Sequence, residues 1–181
     1  MKPFKIVFML ALTVISLSVA VFFVEGVTSE IIATRQAKEI EEALQTIFPD
    51  IDGANDILTT ITDADFGVSG VISVIEMTNN GNPKGYIYTV AFRGFSSEIR
   101  YLIGIDAVGN ITGYQVLQQS DTPGYGAQIG EPENWTQFTG MSIETAGNGD
   151  FDGLSGASVT TGAWKTSLNS LFKYHLATYG Y

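Results

Sequence analysis

The chain has 181 residues, a formal charge of −10, one histidine and no cysteine. A chain of this length holds one domain with additions. The acidic balance argues against nucleic acid as a partner, because phosphate binding needs basic surface. The missing cysteines exclude disulfides, thiolate metal sites, iron–sulfur ligation and a cysteine nucleophile.

From Ile6 to Val24 the sequence is free of charge, long enough to cross a bilayer as a helix. Lys2 and Lys5 precede the run, and Glu25 and Glu30 follow it. The positive-inside rule then leaves the N-terminus in the cytoplasm and the body outside it. A cleaved signal peptide would need small residues at the cut. Only Ser18-Val19-Ala20 offers them, and cutting there would leave Val-Phe-Phe-Val at the new end. The expectation is an uncleaved, single-pass anchor in the inner or plasma membrane, in contact with lipid. Beyond it, Ala33, Ala37, Ile40, Leu44 and Ile47 form the stripe of an amphipathic helix, opposite Arg35, Lys38, Glu39, Glu41 and Glu42. Pro49 ends it. One helix, with a possible break at Gly26, should thus run to about Phe48. The expected organisation is an anchor over 1–26, an amphipathic connecting helix over 27–49 and an extracytoplasmic domain over 50–181.

After Ile51 the texture changes. Val71–Met77, Gly85–Phe92, Arg100–Asp106 and Ile111–Leu117 read as strands. Asn79–Asn82 and Ala107–Asn110 are the turns between them. In Gly85–Phe92, Tyr86, Tyr88, Val90 and Phe92 alternate onto one face. These segments predict a β-meander of about four strands. Ser120–Glu133 is irregular, Asn134–Phe138 is compatible with a short helix, and Gly162–Tyr179 with a long one. That last helix carries Trp164, Leu168, Leu171, Phe172 and His175 on its inner side. The class is α+β: a small antiparallel sheet closed by a C-terminal helix. His175, near a helix end, is expected as a helix-end cation rather than a ligand or a base. No metal site and no catalytic residue set is therefore expected.

Two loops stand out. Asp121-Thr122-Pro123-Gly124-Tyr125-Gly126 contains a Pro-Gly pair that specifies a tight turn, of type II. It is either simply a turn or a loop that a flat ring can approach, with Tyr125 able to stack on a planar group. The second is Asp152-Gly-Leu-Ser-Gly-Ala-Ser-Val-Thr-Thr161, directly before the last helix. Its hydroxyls, Ser155, Ser158, Thr160 and Thr161, flank Gly156-Ala157. They are either helix caps or part of a phosphate-sized anion site at a helix N-terminus, with a nucleophilic hydroxyl at its edge.

Taken with Gly94-Phe95-Ser96, Gly104-Ile105-Asp106, Gly109 and Ile111-Thr112-Gly113, these motifs give the chain a family resemblance. It resembles the FMN-binding G subunit of the Rnf-type ion-translocating ferredoxin:NAD oxidoreductase, a relative of the C subunit of the sodium-translocating NADH:quinone reductase. The resemblance implies FMN joined through a phosphoester to a hydroxyl by a dedicated flavin transferase. The acceptor position, after Gly-Ala, is Ser158 here where the family usually has Thr; Thr160 is the alternative attachment. It implies a recognition role for Asp152, and a flavin ring against Thr122, Gly124 and Gly126. It implies an electron carrier among other membrane subunits of an ion-translocating complex, moving Na⁺ or H⁺. The alternatives are a quinone-reductase C subunit, a stand-alone extracytoplasmic flavoprotein, or an anchored scaffold module without flavin.

Overall fold

A computed structural model describes residues 3–49, 51, 53–58 and 70–180. The chain divides into two compact units, Met1–Glu41 and Glu42–Tyr181. Helix α1 runs over Pro3–Ile47 and passes through Gly26 as helix. The run Ile6–Val24 lies only partly within the residues whose side chains are described. Among the described residues no helix is long and apolar enough to cross a membrane.

The second unit is built on a five-stranded antiparallel meander: β1 (Gly53–Leu58), β2 (Val71–Asn79), β3 (Asn82–Arg93), β4 (Glu98–Asp106) and β5 (Ile111–Gln118), paired in chain order. Strands β2 to β5 are those expected from the sequence; β1 is additional. Gly53-Ala-Asn-Asp-Ile-Leu58 has few β-forming residues. It is held at the sheet edge by pairing with β2, with a register shift between Asp56 and Leu58. The β2–β3 connection needs the left-handed conformation twice, at Asn80 (φ 51) and Gly81 (φ 74), which is the Asn-Gly preference of a tight hairpin.

The period of two along each strand sorts the side chains onto two faces. Tyr88, Val90 and Phe92 of β3, Ile99, Tyr101, Ile103 and Ile105 of β4, and Tyr114 of β5 share the larger core. Ile87, Leu102 and Met77 point to the other side and meet Ala43 and Ile47 from the end of α1. Two directly paired glycines, Gly104 and Gly113, make that second seat flat. A Cβ on Gly104 would lie 2.3 Å from Ile47, and one on Gly113 3.1 Å from it.

After β5 come a 3₁₀ turn (Gly126–Gly130), a short helix α2 (Pro132–Trp135), a second 3₁₀ turn (Thr136–Phe138), α3 (Ile143–Gly147) and α4 (Ser158–Tyr179). The stretch expected to be irregular thus holds a 3₁₀ turn, and α2 starts two residues before the expected helix. Residues 140–142 complete the β5 edge through Ile111 N–H to Met141 O (2.8 Å) and Gly140 N–H to Ile111 O (2.7 Å). Helix α4 buries Trp164, Leu168, Leu171 and Phe172 on the larger core, as the spacing predicts. Each such burial contributes roughly 1.5–3 kcal/mol. The rings are ordered by polar contacts as well: Trp164 Nε1 donates to Tyr114 Oη at 2.8 Å, and Tyr101 stacks on Tyr114 at 4.7 Å.

His175 departs from expectation. It is buried, with its Nδ1 2.5 Å from Tyr88 Oη. Burial lowers its pKa to about 4, so the ring is neutral and is not a helix-end cation. The helix continues to Tyr179 beyond it, and its position on the inner face places it over the sheet.

Candidate functional site

Three segments meet at one end of the sheet: the β3–β4 turn (Gly94–Ser97), the loop after β5, and the approach to α4. The turn closes through Gly94 N–H to Ser97 O at 2.9 Å. In the second segment the predicted Pro-Gly turn forms. Tyr125 N–H bonds Thr122 O at 3.1 Å, and Gly124 adopts φ +76, as position i+2 of a type II turn requires. Gln128 then ties this loop to the third segment, its Nε2 donating to Gly124 O (2.6 Å) and to Ser155 O (3.2 Å).

Asp121 joins the three segments from beneath. It is 4% exposed. Its Oδ1 accepts from Ser96 N–H (3.0 Å), Ser96 Oγ (2.7 Å) and Thr122 N–H (2.8 Å); its Oδ2 accepts from Phe95 N–H (3.0 Å) and Thr160 Oγ1 (2.8 Å). Burial alone would push this carboxyl up, but the hydrogen bonds from Ser96, Thr160 and Thr122 outweigh it and hold the pKa well below the usual carboxylate range. The space for the carboxylate comes from glycine. A Cβ on Gly94 would lie 2.4 Å from Oδ2, and one on Gly126 2.2 Å from it.

Helix α4 begins at Ser158, four residues earlier than the sequence suggests. Its N-cap is Ala157, and no side chain caps it. The hydroxyls therefore do not serve as its cap, and the positive end of a 22-residue helix is left with open amides. The hydroxyls have separate positions. Ser158 is exposed, and among the described residues no hydrogen bond engages its side chain. Thr160 is 1% exposed and donates to Asp121. Thr161 accepts from Leu154 N–H at 3.0 Å and braces the approach loop. Ser155 and Asp152 are exposed outside the cleft, Asp152 held by its backbone N–H to Gln137 Oε1 at 2.9 Å.

Between these segments lies a largely apolar cleft of about 310 Å³, a volume typical of small-molecule sites. Of the sequence-predicted residues, Thr122, Tyr125, Gly126, Gly156, Ala157, Ser158 and Thr160 line it; Gly124, Ser155, Thr161 and Asp152 do not. Phe95 and Val159 complete the lining. Phe95 and Tyr125 are large exposed aromatics, 67% and 55%, and Gly156 (φ +71) brings bare backbone within 3.4 Å of the Tyr125 ring at its Cβ position. Such a site suits a flat ring carrying an anionic group: aromatic surface for the ring, and open helix amides with a free hydroxyl for the anion. Sequence reasoning missed Asp121, Phe95, Val159 and Gln128. Asp121 and Phe95 stood inside quoted motifs, where the carboxylate reads only as part of a turn.

Residues 94–173, which contain all three segments, match the family of the FMN-binding domain. The chain is 31% identical over 150 residues to the G subunit of the ion-translocating oxidoreductase complex of Methanosarcina acetivorans, covering 80% of this chain and 79% of that one. It belongs to this G-subunit family. Its similarity to the G subunit of the same complex from Haemophilus influenzae (strain Rd) is of the same order, 31% over 163 residues, covering 83% of this chain and 78% of that one. Among solved structures, the C subunit of the Na⁺-translocating NADH-quinone reductase from Parabacteroides distasonis is similar, with 23% identity and a TM-score of 0.48, over 68% of this chain and 76% of that chain. The matched region takes in β4, β5 and the first part of α4, and the cleft's aromatic lining beside an uncapped helix start is compatible with a flat ring that carries a phosphate.

Proposed function

We propose that this G-subunit chain is an electron-transfer flavoprotein of an ion-translocating oxidoreductase, with FMN bound in the cleft and joined through its phosphate to the Ser158 hydroxyl. The observation that carries the reading is the position of Ser158. Its hydroxyl is free at the rim of an apolar cleft and at an uncapped helix start, whereas Thr160 is buried and committed to Asp121. When bound, FMN supplies the electron-carrying chemistry. The protein's part is to orient it: Phe95 and Tyr125 offer ring surface, Gly126 and Gly156 allow close approach, and the α4 amides favour the phosphate. Asp152, exposed two residues before Leu154, is assigned to recognition by a flavin transferase during maturation.

The uncharged run Ile6–Val24 and the exposed Phe8, Leu10, Leu17 and Phe22 on α1 support a membrane anchor in contact with lipid. With Lys2 and Lys5 cytoplasmic, the FMN domain lies outside the cytoplasm. Its partners are the other membrane subunits, between whose carriers it passes electrons from ferredoxin to NAD while they move Na⁺ or H⁺.

Intact mass of the purified full chain tests the covalent link. An added mass of FMN less water, mapped to a peptide containing Ser158 and absent in Ser158→Ala, is expected. Yellow colour released entirely into the supernatant on acid denaturation would overturn the link, and an adduct mapped to Thr160 would overturn its position.

A further inference from the structure

We propose that Asp121 is a positioning residue of the flavin site. It is an anionic pin that holds the three cleft segments in register and sets a fixed negative charge against the electron a bound flavin gains. This rests on the FMN reading above, in which Asp121 enters only as the partner that occupies Thr160.

The geometry is specific. The donors come from every segment that builds the cleft: Phe95 and Ser96 from the β3–β4 turn, Thr122 from the Pro-Gly loop, and Thr160 from the first turn of α4. Three of them are backbone N–H groups, which can only donate. Five donors on two oxygens, three of them unable to accept, favour the ionised group. Phe95, Thr122 and Thr160 bond to Asp121 and also line the cleft, and Gly126 lines it while leaving the carboxylate its space. A shift of Asp121 is therefore a shift of the cleft wall.

The charge lies close behind that wall. Among the described residues no cationic side chain pairs with Asp121. Hydrogen-bond dipoles and the start of α4 balance it instead. A partly desolvated charge acts over a longer range than an exposed one. Adding an electron to a ring in the cleft adds negative charge beside it. Asp121 thus favours the oxidised flavin and lowers the midpoint potential. Ser96 Oγ, which donates to Asp121 but does not line the cleft, moderates that effect.

The test compares full-length wild type, Asp121→Asn and Ser96→Ala, each matured with the flavin transferase, by dithionite titration of the flavin absorbance. Asp121→Asn keeps the side-chain size, removes the charge and replaces one acceptor oxygen with a donor NH2. Its midpoint is expected to rise, with at least a tenfold change in the oxidised-to-reduced ratio at fixed potential, about 59 mV for one electron. Ser96→Ala keeps the charge and removes a donor that compensates it, so its midpoint should fall. Shifts of the same sign in both variants, or none in either, would overturn the electrostatic role. Should Asp121→Asn fail to fold, the sign for Ser96→Ala decides alone. Amide exchange in flavin-free protein tests the pin itself: Phe95, Ser96 and Thr122 should exchange at least tenfold faster in Asp121→Asn, and unchanged rates would overturn it. Wild type that carries no FMN would refute the flavin reading, while the exchange comparison would still decide whether Asp121 holds the turns.

Discussion

Gly126 and Asp121 are complementary at atomic contact: a Cβ on Gly126 would lie 2.2 Å from Oδ2 of Asp121 and 2.7 Å from Thr160 Oγ1. The carboxylate cannot retreat, because its hydrogen bonds fix it from the turn, the loop and the helix. Gly126→Ala should therefore destabilise the domain by about 1–3 kcal/mol through overpacking. It should also distort the cleft, so that less flavin is incorporated. Thermal melts by circular dichroism, read beside the flavin-to-protein absorbance ratio, check both. An unchanged melt would mean that the carboxylate does not occupy this space.

Gly162 is the opposite case. It lies in the first turns of α4, and a Cβ there meets nothing within 4 Å. The backbone is already helical, so alanine removes unfolded-state freedom without strain. Gly162→Ala should raise stability by about 0.5–1 kcal/mol. Urea unfolding followed by Trp fluorescence will show a higher midpoint with an unchanged slope if this is right.

The parts of this molecule that were legible in sequence are those written in periodicity and local turn chemistry. Strands β2 to β5, the inner face of α4 and the type II turn at Pro123-Gly124 follow from alternation, helical spacing and the needs of a positive φ. Strand β1 was not legible, because Gly53–Leu58 is a strand by virtue of the β2 partner it pairs with. The start of α4 was misplaced, because Ser158-Val-Thr-Thr reads as turn and cap chemistry while tertiary packing of Thr160 pulls it into the helix. His175 was placed on the correct face but expected as a helix-end cation, because sequence gives its face and not how completely the sheet buries it there. Within the site, the two motif loops were legible as loops, but their meeting was not: it rests on Gln128 and Asp121, which reach from one to the other. Nor was the role of Asp121 legible, since its importance comes from donors 25 and 39 positions away in the chain. Only the fold brings these together.

Tyr114 connects the core's largest rings. Its hydroxyl accepts from Trp164 Nε1 at 2.8 Å, and its ring stacks on Tyr101. Tyr114→Phe keeps the ring and strips the acceptor, leaving the buried indole N–H without a partner. The expected cost is about 1–3 kcal/mol. Trp164→Phe should cost more, because it also empties volume in a core where Trp164 is fully buried. The double variant should be less destabilised than the sum, since the second substitution removes the group that the first leaves unpaired. Additive losses in urea titrations would show that the bond contributes nothing on its own.

Acid should weaken the domain in a window set by His175. Burial holds this imidazole at about 4, against 6.5 for an ordinary histidine. Between those values the unfolded chain takes up a proton that the folded chain refuses. The unfolded state then binds more protons, and stability falls as the pH drops. The contribution is fully present above pH 6.5 and lost progressively down to about 4, by up to about 3 kcal/mol at 1.36 kcal/mol per unit. Asp121 acts in the same sense but lower. Its depressed carboxyl stabilises the fold above the ordinary carboxylate range and gives this up only as the pH falls through and below that range. The interval from 6.5 to about 4.5 therefore isolates the histidine. His175→Gln, which can still accept from Tyr88 Oη and cannot titrate, should flatten the pH dependence there while leaving the steeper loss at lower pH. Urea midpoints measured at half-unit steps decide it, and an equal slope in wild type and variant would show that the buried ring is not the group that titrates.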